Sequence, residues 1–253
     1  MNEQLPTDGT KRGPITKISF VIPVYNEEKN LEPLCLEITE VASQMGHPHE
    51  ILLVDDGSSD GSLTAIRRLG ERYDRIGYIA LTENMGQSAA LYAGFQHASG
   101  DVVITMDGDL QNDPADIPGM LAHYGDYDMV TGWRQSRRDG WSKRAAGRMG
   151  NAFRNLITGD VMRDTGCSLK IMNGPMVRRI KLFKGMHRFL PTLMRLEGAR
   201  VLEMKVNHRP RLHGHSKYGN LQRGIEGFFD VFVVRWMMRK NIQLKIRERH
   251  VDK

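Results

Sequence analysis

Two aspartates separated by one glycine, Asp107 and Asp109, are the residues whose type and spacing suggest chemistry most directly. They follow an apolar, β-branched run at residues 102–106, which is typical of a strand buried on both faces. Gly108 lets the chain turn as it leaves this strand, so both carboxylates can face one point. Carboxylates this close repel unless a cation or a proton lies between them. A divalent ion that also binds substrate phosphates fits this pattern, and an ordinary acidic loop that caps a helix is the alternative.

Strands and helices alternate along the first half of the sequence. Apolar runs predict strands at residues 18–25, 50–54, 78–81, 102–106 and 129–131, and helical spacing predicts helices from residue 26 onward and over 63–73, 87–97 and 114–124. This alternation is typical of an α/β domain with a largely parallel sheet, in which ligands lie beyond the carboxyl ends of the strands. Three of those ends carry polar residues: Tyr25 and Glu27, Asp55 and Asp56, and Asp107 and Asp109.

The composition indicates one sizeable globular domain with an appendage, since the 253 residues are 40% hydrophobic and 26% charged. The net charge of +6 predicts an anionic partner, which could be nucleic acid, anionic lipid or a phosphorylated small molecule. The two cysteines, Cys35 and Cys167, indicate no disulfide framework and favour a reducing cytosol. Residues 1–14 are polar and read as a disordered tail, neither a signal peptide nor an anchor.

The pattern loosens after residue 131, apart from one further strand predicted at residues 202–206. A basic cluster follows the 129–131 strand, and it is either a solvated face or a mobile loop over the ligand: Arg134, Arg137, Arg138, Lys143, Arg144 and Arg148. Three histidines, His208, His213 and His215, are spaced by proline and glycine without matching carboxylates, so we interpret them as solvated loop residues.

Residues 225–238 are rich in Phe, Val, Trp and Met but are interrupted by Asp230 and Arg235. The segment falls short of the roughly 20 apolar residues that a membrane span requires. A helix that packs on the core is the default interpretation. Its aromatic residues and basic flanks also resemble an interfacial membrane anchor, and an oligomer interface is a third option.

Four motifs in order carry a family resemblance: residues 23–28 (PVYNEE), 54–61 (VDDGSSDG), 84–87 (NMGQ) and 106–114 (MDGDLQNDP). With them the chain resembles the family 2 inverting glycosyltransferases of GT-A fold. More narrowly, it is similar to the dolichyl-phosphate mannose synthases and their bacterial polyprenyl-phosphate relatives. Residues 211–218 (RLHGHSKY) fit the Arg-x-x-Gly-x-Ser-Lys signature of the lipid-phosphate branch. Two features differ from the family. Many relatives continue into long transmembrane helices, whereas this sequence has only the short apolar segment at residues 225–238. The family's Asp-x-x-Ser-Gly-Phe segment is replaced here by residues 164–169 (DTGCSL).

The resemblance implies roles for individual residues. Those expected to hold the nucleoside are Pro23, Tyr25, Glu27, Val54 and Asp56. Those expected at the sugar diphosphate are Asp107, Gly108 and Asp109, with Asp107, Asp109 and Gln111 around Mg²⁺ or Mn²⁺. Arg134 fits the family's Gly-x-Arg position. Those expected to meet the acceptor phosphate or the donor diphosphate are Arg211, Ser216 and Lys217.

A polyprenyl monophosphate is already anionic near neutral pH, so the enzyme needs cations that gather its charge more than it needs a strong base. Arg211 and Lys217, together with Arg144, suit that task because arginine matches phosphate oxygens bidentately and lysine offers a compact charge. A metal-bound diphosphate is the better leaving group. The residues expected to be catalytic are therefore Asp109, Arg211 and Lys217.

These observations predict a GT-A domain at residues 15–210 and an acceptor-phosphate loop with an amphipathic, membrane-facing helical extension at residues 211–253. The predicted activity is metal-dependent, inverting transfer of a hexose from a GDP- or UDP-linked sugar to a polyprenyl phosphate, by a peripheral protein on the cytoplasmic face of an anionic membrane. The alternatives are transfer to a saccharide hydroxyl and a basic nucleic-acid-binding protein. Nucleic acid is not the expected partner, because the three acidic strand ends would repel it. A homo-oligomer is kept as an alternative to a monomer.

Overall fold

The computed structural model describes residues 13–134, 141–211 and 220–242, and the side chains within 13–134, 150–211 and 227–242. These residues form seven strands: Ile18–Val24 (β1), His49–Asp55 (β2), Ile76–Ala80 (β3), Val102–Thr105 (β4), Met129–Arg134 (β5), Lys170–Asn173 (β6) and Val201–Val206 (β7). The helices are Glu28–Met45 (α1), Ser62–Arg72 (α2), Gln87–His97 (α3), Ile117–Leu121 (α4), Trp141–Thr158 (α5), Gly174–Val177 (α6), Leu190–Leu196 (α7) and Asn220–Lys240 (α8).

The strands form one sheet in the order β3-β2-β1-β4-β6-β5-β7. Pairing is parallel between β1 and β2, β2 and β3, β1 and β4, and β5 and β7. Among the described strands β6 alone runs the other way, because it pairs antiparallel with both β4 and β5. The predicted α/β fold with a mostly parallel sheet is therefore confirmed.

Helices cover both faces of the sheet, which explains why the central strands are apolar throughout. Along β1, Phe20 and Ile22 face the core formed with α1, α2 and α4, whereas Val21 faces the core formed with α3, α6, α7 and α8. All four residues of β4 are buried. Fully burying one such side chain stabilises the fold by about 1.5–3 kcal/mol. These two cores hold the carboxyl ends of β1, β2 and β4 side by side.

The segment predicted as one helix at residues 114–124 is divided in the structure. A 3₁₀ turn at Pro114–Asp116 precedes the five-residue α4. Pro118 and Gly119 within this stretch disfavour a longer helix. Asp113 accepts a hydrogen bond from the backbone N–H of Ala115 and so fixes where the turn begins.

The region between β5 and β7 contains elements that the sequence pattern did not predict, namely α5, β6, α6 and α7. The strand β6 has only four residues and begins with a lysine, so it lacks the long apolar run of the other central strands. Both cysteines are buried and free, and burial raises the pKa of the Cys35 thiol to about 12.

The C-terminal helix α8 is amphipathic in its packing. Val231 and Val234 are buried in the core beside α3 and α7. The opposite side exposes large apolar side chains, with Phe229 64% and Trp236 62% exposed. The predicted C-terminal helix is thus confirmed, and its buried side packs on the core. Contact of its exposed side with a membrane or with another subunit stays a prediction. Within the described ranges, no helix is both long enough and apolar enough to span a bilayer.

Candidate active site

The turn that follows β4 brings the predicted acidic residues to the edge of the sheet. The Asp107 N–H donates to Asn112 Oδ1 at 3.1 Å, and the Gln111 N–H donates to Asp109 Oδ1 at 3.1 Å. Between them Leu110 has φ of 62°, a left-handed conformation that is costly for a bulky side chain. Strain of this kind persists only where the surrounding structure enforces it, and it clusters at functional sites.

The two carboxylates have different partners. Asp107 Oδ1 accepts a hydrogen bond from Gln87 Nε2 at 2.9 Å, and Asp109 Oδ2 accepts one from Arg211 Nη2 at 2.6 Å. Burial and the nearby charge of Asp107 raise the pKa of Asp109 to about 6, although Arg211 acts in the opposite direction. Asp109 is therefore a buried carboxylate beside a second acid, an environment that a bound cation would stabilise.

The segment that follows β7 lies against the same turn. The Arg209 N–H donates to the Gln111 backbone carbonyl at 2.8 Å, and Arg211 Nη2 donates to the Gln111 side-chain Oε1 at 3.3 Å. His208 pairs with Asn112 in a β-bridge, and its Nε2 lies 3.5 Å from Gln111 Nε2. The interpretation of His208 as a solvated loop residue is therefore wrong, because β7 directs it onto the β4 turn. His213 and His215 lie outside the described residues.

The end of β2 is bonded to the turn that precedes α3. Asp56 is buried, and its carboxylate accepts hydrogen bonds from the N–H groups of Met85 and Gly86 at 2.8–3.1 Å and from Asn84 Nδ2 at 3.2 Å. These bonds fix the turn that starts α3 and so place Gln87 beside Asp107. Val54 is fully buried, so a contact with a nucleoside there would involve its backbone.

The end of β1 lies next to the β4 turn. Pro23 lines the cavity described below, and Tyr25 and Glu27 are half-buried. Glu27 accepts a hydrogen bond from Asn30 Nδ2 at 2.6 Å, and its charge contributes to the raised pKa of Asp109. A Cβ atom at Gly108 would lie 3.5 Å from the Pro23 carbonyl oxygen, so the two strand ends are in close contact.

Arg134, at the end of β5, forms a two-point ion pair with Asp164. Its Nε and Nη2 atoms donate to the two carboxylate oxygens at 2.7 and 3.0 Å. Burial by itself would lower the pKa of Arg134, but the hydrogen bonds and charge of Asp164 outweigh it and raise that pKa. Asp164, whose segment departs from the family pattern, thus holds the guanidinium of a predicted binding residue in place.

A cavity of about 880 Å³ joins these elements. Its polar lining residues include Gln87, Asp107, Asp109, Gln111, Arg134, Asp164, Lys170 and Arg211. Its apolar lining residues include Leu91, Phe153, Phe189, Leu190, Phe228 and Val231. The helix α8 contributes to this lining, and the Phe228 ring stacks on the Phe153 ring of α5 at 5.0 Å between centroids. One cavity is therefore lined by both charged and aromatic side chains.

The model of the Glycosyl transferase family 2 domain matches residues 19–182, which is more than half of the chain and includes the turns after β1, β2 and β4. The chain belongs to glycosyl transferase family 2. It is 38% identical over 231 residues to the dodecaprenyl-phosphate galacturonate synthase of Rhizobium johnstonii, a match that covers 88% of this chain and 68% of that protein. The sequence-based expectation of a glycosyltransferase is thus confirmed at the level of the family.

A second relative is the undecaprenyl-phosphate 4-deoxy-4-formamido-L-arabinose transferase of Edwardsiella ictaluri, which is 40% identical over 205 residues. That match covers 80% of this chain and 63% of the relative, so this family 2 chain spans about two thirds of the length of these proteins.

Solved structures support the GT-A fold. Glucosyl-3-phosphoglycerate synthase from Mycobacterium tuberculosis, in complex with Mn²⁺, UDP and phosphoglyceric acid, aligns with a TM-score of 0.65 at 17% identity over 87% of this chain and 78% of its own. Mannosyl-3-phosphoglycerate synthase from Rubrobacter xylanophilus aligns with a TM-score of 0.66 at 17% identity over 94% and 79%. At 17% sequence identity, the similarity to these two structures establishes the fold and nothing further.

Three predicted acceptor residues of this family 2 chain lie wholly or partly outside the part that the structure describes. Ser216 and Lys217 lie outside the described residues, and so does the side chain of Arg144, whose backbone belongs to α5. Lys170, by contrast, lines the cavity but was missed in the sequence, where a single lysine ahead of an apolar triplet gives little signal.

The predicted ligands of Mg²⁺ or Mn²⁺ are two carboxylates and one amide. Across the part of the chain that the structure describes, no cluster of three or more His, Cys, Asp or Glu residues is arranged to hold an ion. The set of Asp107, Asp109 and Gln111 does not depend on such a cluster, since an ion that keeps waters and binds a diphosphate needs few protein ligands. The raised pKa of Asp109 fits a site that a divalent cation completes.

Proposed function

We propose that this chain transfers a hexose from a GDP- or UDP-linked sugar to a polyprenyl phosphate. One observation carries the proposal: the same cavity is lined by strand-end carboxylates and guanidinium groups and by aromatic residues, among them Phe228 of α8, a helix that also exposes large apolar side chains. A nucleotide sugar needs the charged groups, and a prenyl chain needs the aromatic ones. The names of both relatives, which are polyprenyl-phosphate glycosyltransferases, support the same substrate class.

On the donor side, the nucleoside would lie along the ends of β1 and β2, near Pro23, Tyr25 and Glu27. Asp107, Asp109 and Gln111 would hold Mg²⁺ or Mn²⁺, which neutralises the charge that develops on the departing nucleoside diphosphate. Gln87 orients Asp107 through its 2.9 Å hydrogen bond. Arg211 is the first residue of the lipid-phosphate signature, and it contacts both Asp109 and Gln111.

On the acceptor side, the phosphate monoester supplies its own nucleophile. Its oxygen forms a bond to the anomeric carbon of the sugar while the bond to the diphosphate oxygen breaks, and the nucleoside diphosphate leaves with the electron pair. One such displacement inverts the anomeric configuration. Arg211 and Lys217, with Ser216 and Arg144, would hold the phosphate for this attack. Bidentate guanidinium contacts fix its orientation and need no proton transfer.

The prenyl chain would leave the site along Phe153 and Phe228 toward the exposed face of α8. That face holds Phe229, Phe232 and Trp236, and the last turn of the helix carries Arg239 and Lys240. Aromatic residues beside basic ones suit the interface of an anionic membrane. We therefore propose a peripheral protein that meets its acceptor at the cytoplasmic membrane surface.

The experiment compares acceptors that differ only in the phosphate. The protein is incubated with a panel of UDP- and GDP-sugars, Mg²⁺ or Mn²⁺, and either a short prenyl phosphate or the matching prenyl alcohol, and products are identified by mass spectrometry. We expect a sugar–phosphate–prenyl product from the phosphate alone, and NMR should show an inverted anomeric centre. Transfer to the alcohol or to a saccharide at a higher rate would overturn the proposal.

A further inference from the structure

Lys170 is a buried lysine whose side chain faces the active-site cavity. It is the first residue of β6 and is paired with Thr105 of β4 on one side and Thr131 of β5 on the other. Only 2% of the residue is exposed, yet it is among the residues that line the cavity. Lys170 therefore belongs to the cavity lining and is shielded from bulk solvent.

The carboxylates near Lys170 already have partners. Asp164 accepts hydrogen bonds from Arg134 on both of its oxygens, and Asp107 accepts one from Gln87. Both acids attract the Lys170 charge at longer range, while Arg134 repels it. Among the described residues, none accepts a hydrogen bond from the Lys170 ammonium group.

An ammonium group without hydrogen bonds is unfavourable in a buried position. Burial accordingly lowers the pKa of Lys170. A methionine would fill the same space between β4 and β5 at lower cost. Groups that cost stability in this way are typical of sites where a ligand completes the structure.

We propose that Lys170 is a phosphate-binding residue of the cavity, where its ammonium group donates hydrogen bonds to the anionic oxygens of a substrate. The oxygens belong either to the donor diphosphate or to the acceptor monophosphate, since Lys170 lines the same cavity as Asp107 and Phe228. The inference rests on the proposed function and adds to it a binding residue on β6.

The test replaces Lys170 by methionine and uses Lys205→Met as the matched control, because Lys205 is exposed on β7. Isothermal titration with UDP, GDP and pyrophosphate in the presence of Mg²⁺ reports the donor contact. The KM for a short prenyl phosphate reports the acceptor contact. We expect Lys170→Met to lose about tenfold or more in one of the two, as for a missing charge-assisted hydrogen bond, and Lys205→Met to lose neither.

Thermal unfolding separates binding from a structural role. If Lys170 binds a ligand and makes no hydrogen bond without it, Lys170→Met should melt at the same temperature as the wild type or at a higher one. Unchanged affinities and an unchanged KM would overturn the proposal. If Lys170→Met fails to fold, amine labelling of the wild type decides: pyrophosphate, UDP, GDP or the prenyl phosphate should protect Lys170 and not Lys205, and equal labelling with and without each of them would overturn the inference.

The two proposals fail in different ways. If the wild type transfers no sugar to prenyl phosphate but binds nucleoside diphosphates more tightly than Lys170→Met, the proposed acceptor is wrong and Lys170 still binds a phosphate. If the wild type transfers sugar and Lys170→Met matches it in every constant, only the inference about Lys170 is wrong.

Discussion

Arg211 Nη2 lies 2.6 Å from Asp109 Oδ2, so the segment that follows the last strand closes onto the turn that follows β4. Asp109 belongs to the expected metal site, and Arg211 is the first residue of the lipid-phosphate signature. One hydrogen bond therefore connects a residue expected to bind the metal and donor with a residue expected to bind the acceptor phosphate. It also neutralises part of the charge of Asp109 in this structure.

We expect Arg211 to act on the acceptor more than on the donor, because it belongs to the lipid-phosphate signature. We expect Arg211→Ala and Lys217→Ala to raise the KM for lipid phosphate or lower kcat about tenfold or more, with a much smaller effect on nucleotide affinity. Arg209→Ala is the comparison variant, since Arg209 bonds to Glu37 and Asp113 and should change stability without changing the KM. A parallel fall in nucleotide affinity, donor hydrolysis and lipid transfer would assign Arg211 and Lys217 to the donor.

The Arg134–Asp164 pair should behave as one unit. Both side chains are largely buried, at 14% and 11% exposure, so removing one leaves an uncompensated charge. We expect Asp164→Leu or Arg134→Met alone to lower the free energy of unfolding by about 3–5 kcal/mol. The double variant should recover much of that loss, and denaturant unfolding measures all three. Strictly additive losses would show that the pair is not energetically coupled.

Glu50 should make stability depend on acid. Burial by itself would raise the pKa of Glu50, but hydrogen bonds from Lys17, Ser19 and Ser99 outweigh it and hold that pKa at about 2. Because the folded-state pKa lies below the ordinary value of about 4.5, this stabilisation is present above pH 4.5 and is lost as the pH falls toward 2.

We expect Glu50→Gln to lower the free energy of unfolding at pH 7 by about 2 kcal/mol and to differ less from the wild type near pH 3. Unfolding in urea at both pH values measures the effect. The same difference at pH 3 and pH 7 would contradict the assignment of the shifted carboxyl to Glu50.

The exposed face of α8 should bind membranes. Replacing Phe229 and Trp236 by serine should weaken pelleting with anionic liposomes at low salt while activity on a short soluble prenyl phosphate persists. High salt should release the wild type, since each basic residue contributes only about 1 kcal/mol and salt screens it. Val234→Ser is the control, because Val234 is fully buried and its loss should destabilise the fold. If the double variant unfolds or loses activity on the soluble substrate, the exposed face of α8 has a structural role and the prediction of membrane binding is wrong.

The sequence predicted the parts of the site that local patterns encode. Asp107 and Asp109 follow a buried apolar strand, and parallel strands bring their carboxyl ends to one edge, so the position of these residues could be inferred. The α/β class with a largely parallel sheet followed from the same alternation, and the GT-A fold was implied by the family motifs. The substrate roles of Tyr25, Glu27 and Asp56 are still predictions.

Contacts across long separations could not be inferred from the sequence. Asp164 lies 30 residues from Arg134, and only the insertion of β6 between β4 and β5 brings Asp164 and Lys170 to the cavity. A four-residue antiparallel strand that starts with lysine is too short to show a clear hydrophobic periodicity in the sequence. His208 was likewise assigned to solvent because its contact with the β4 turn depends on where β7 ends.

We propose that Asp109 and a divalent ion promote sugar transfer to a lipid phosphate. The direct measurement is the transfer of radiolabelled sugar from UDP- and GDP-sugars into an organic-phase product, with prenyl phosphate and Mg²⁺ or Mn²⁺. We predict labelled lipid from the wild type, none in excess EDTA, and at least about 100-fold less from Asp109→Asn with an unchanged circular dichroism spectrum. Equal labelling by Asp109→Asn at saturating Mn²⁺, or wild-type labelling of a saccharide and not of the lipid, would contradict the account.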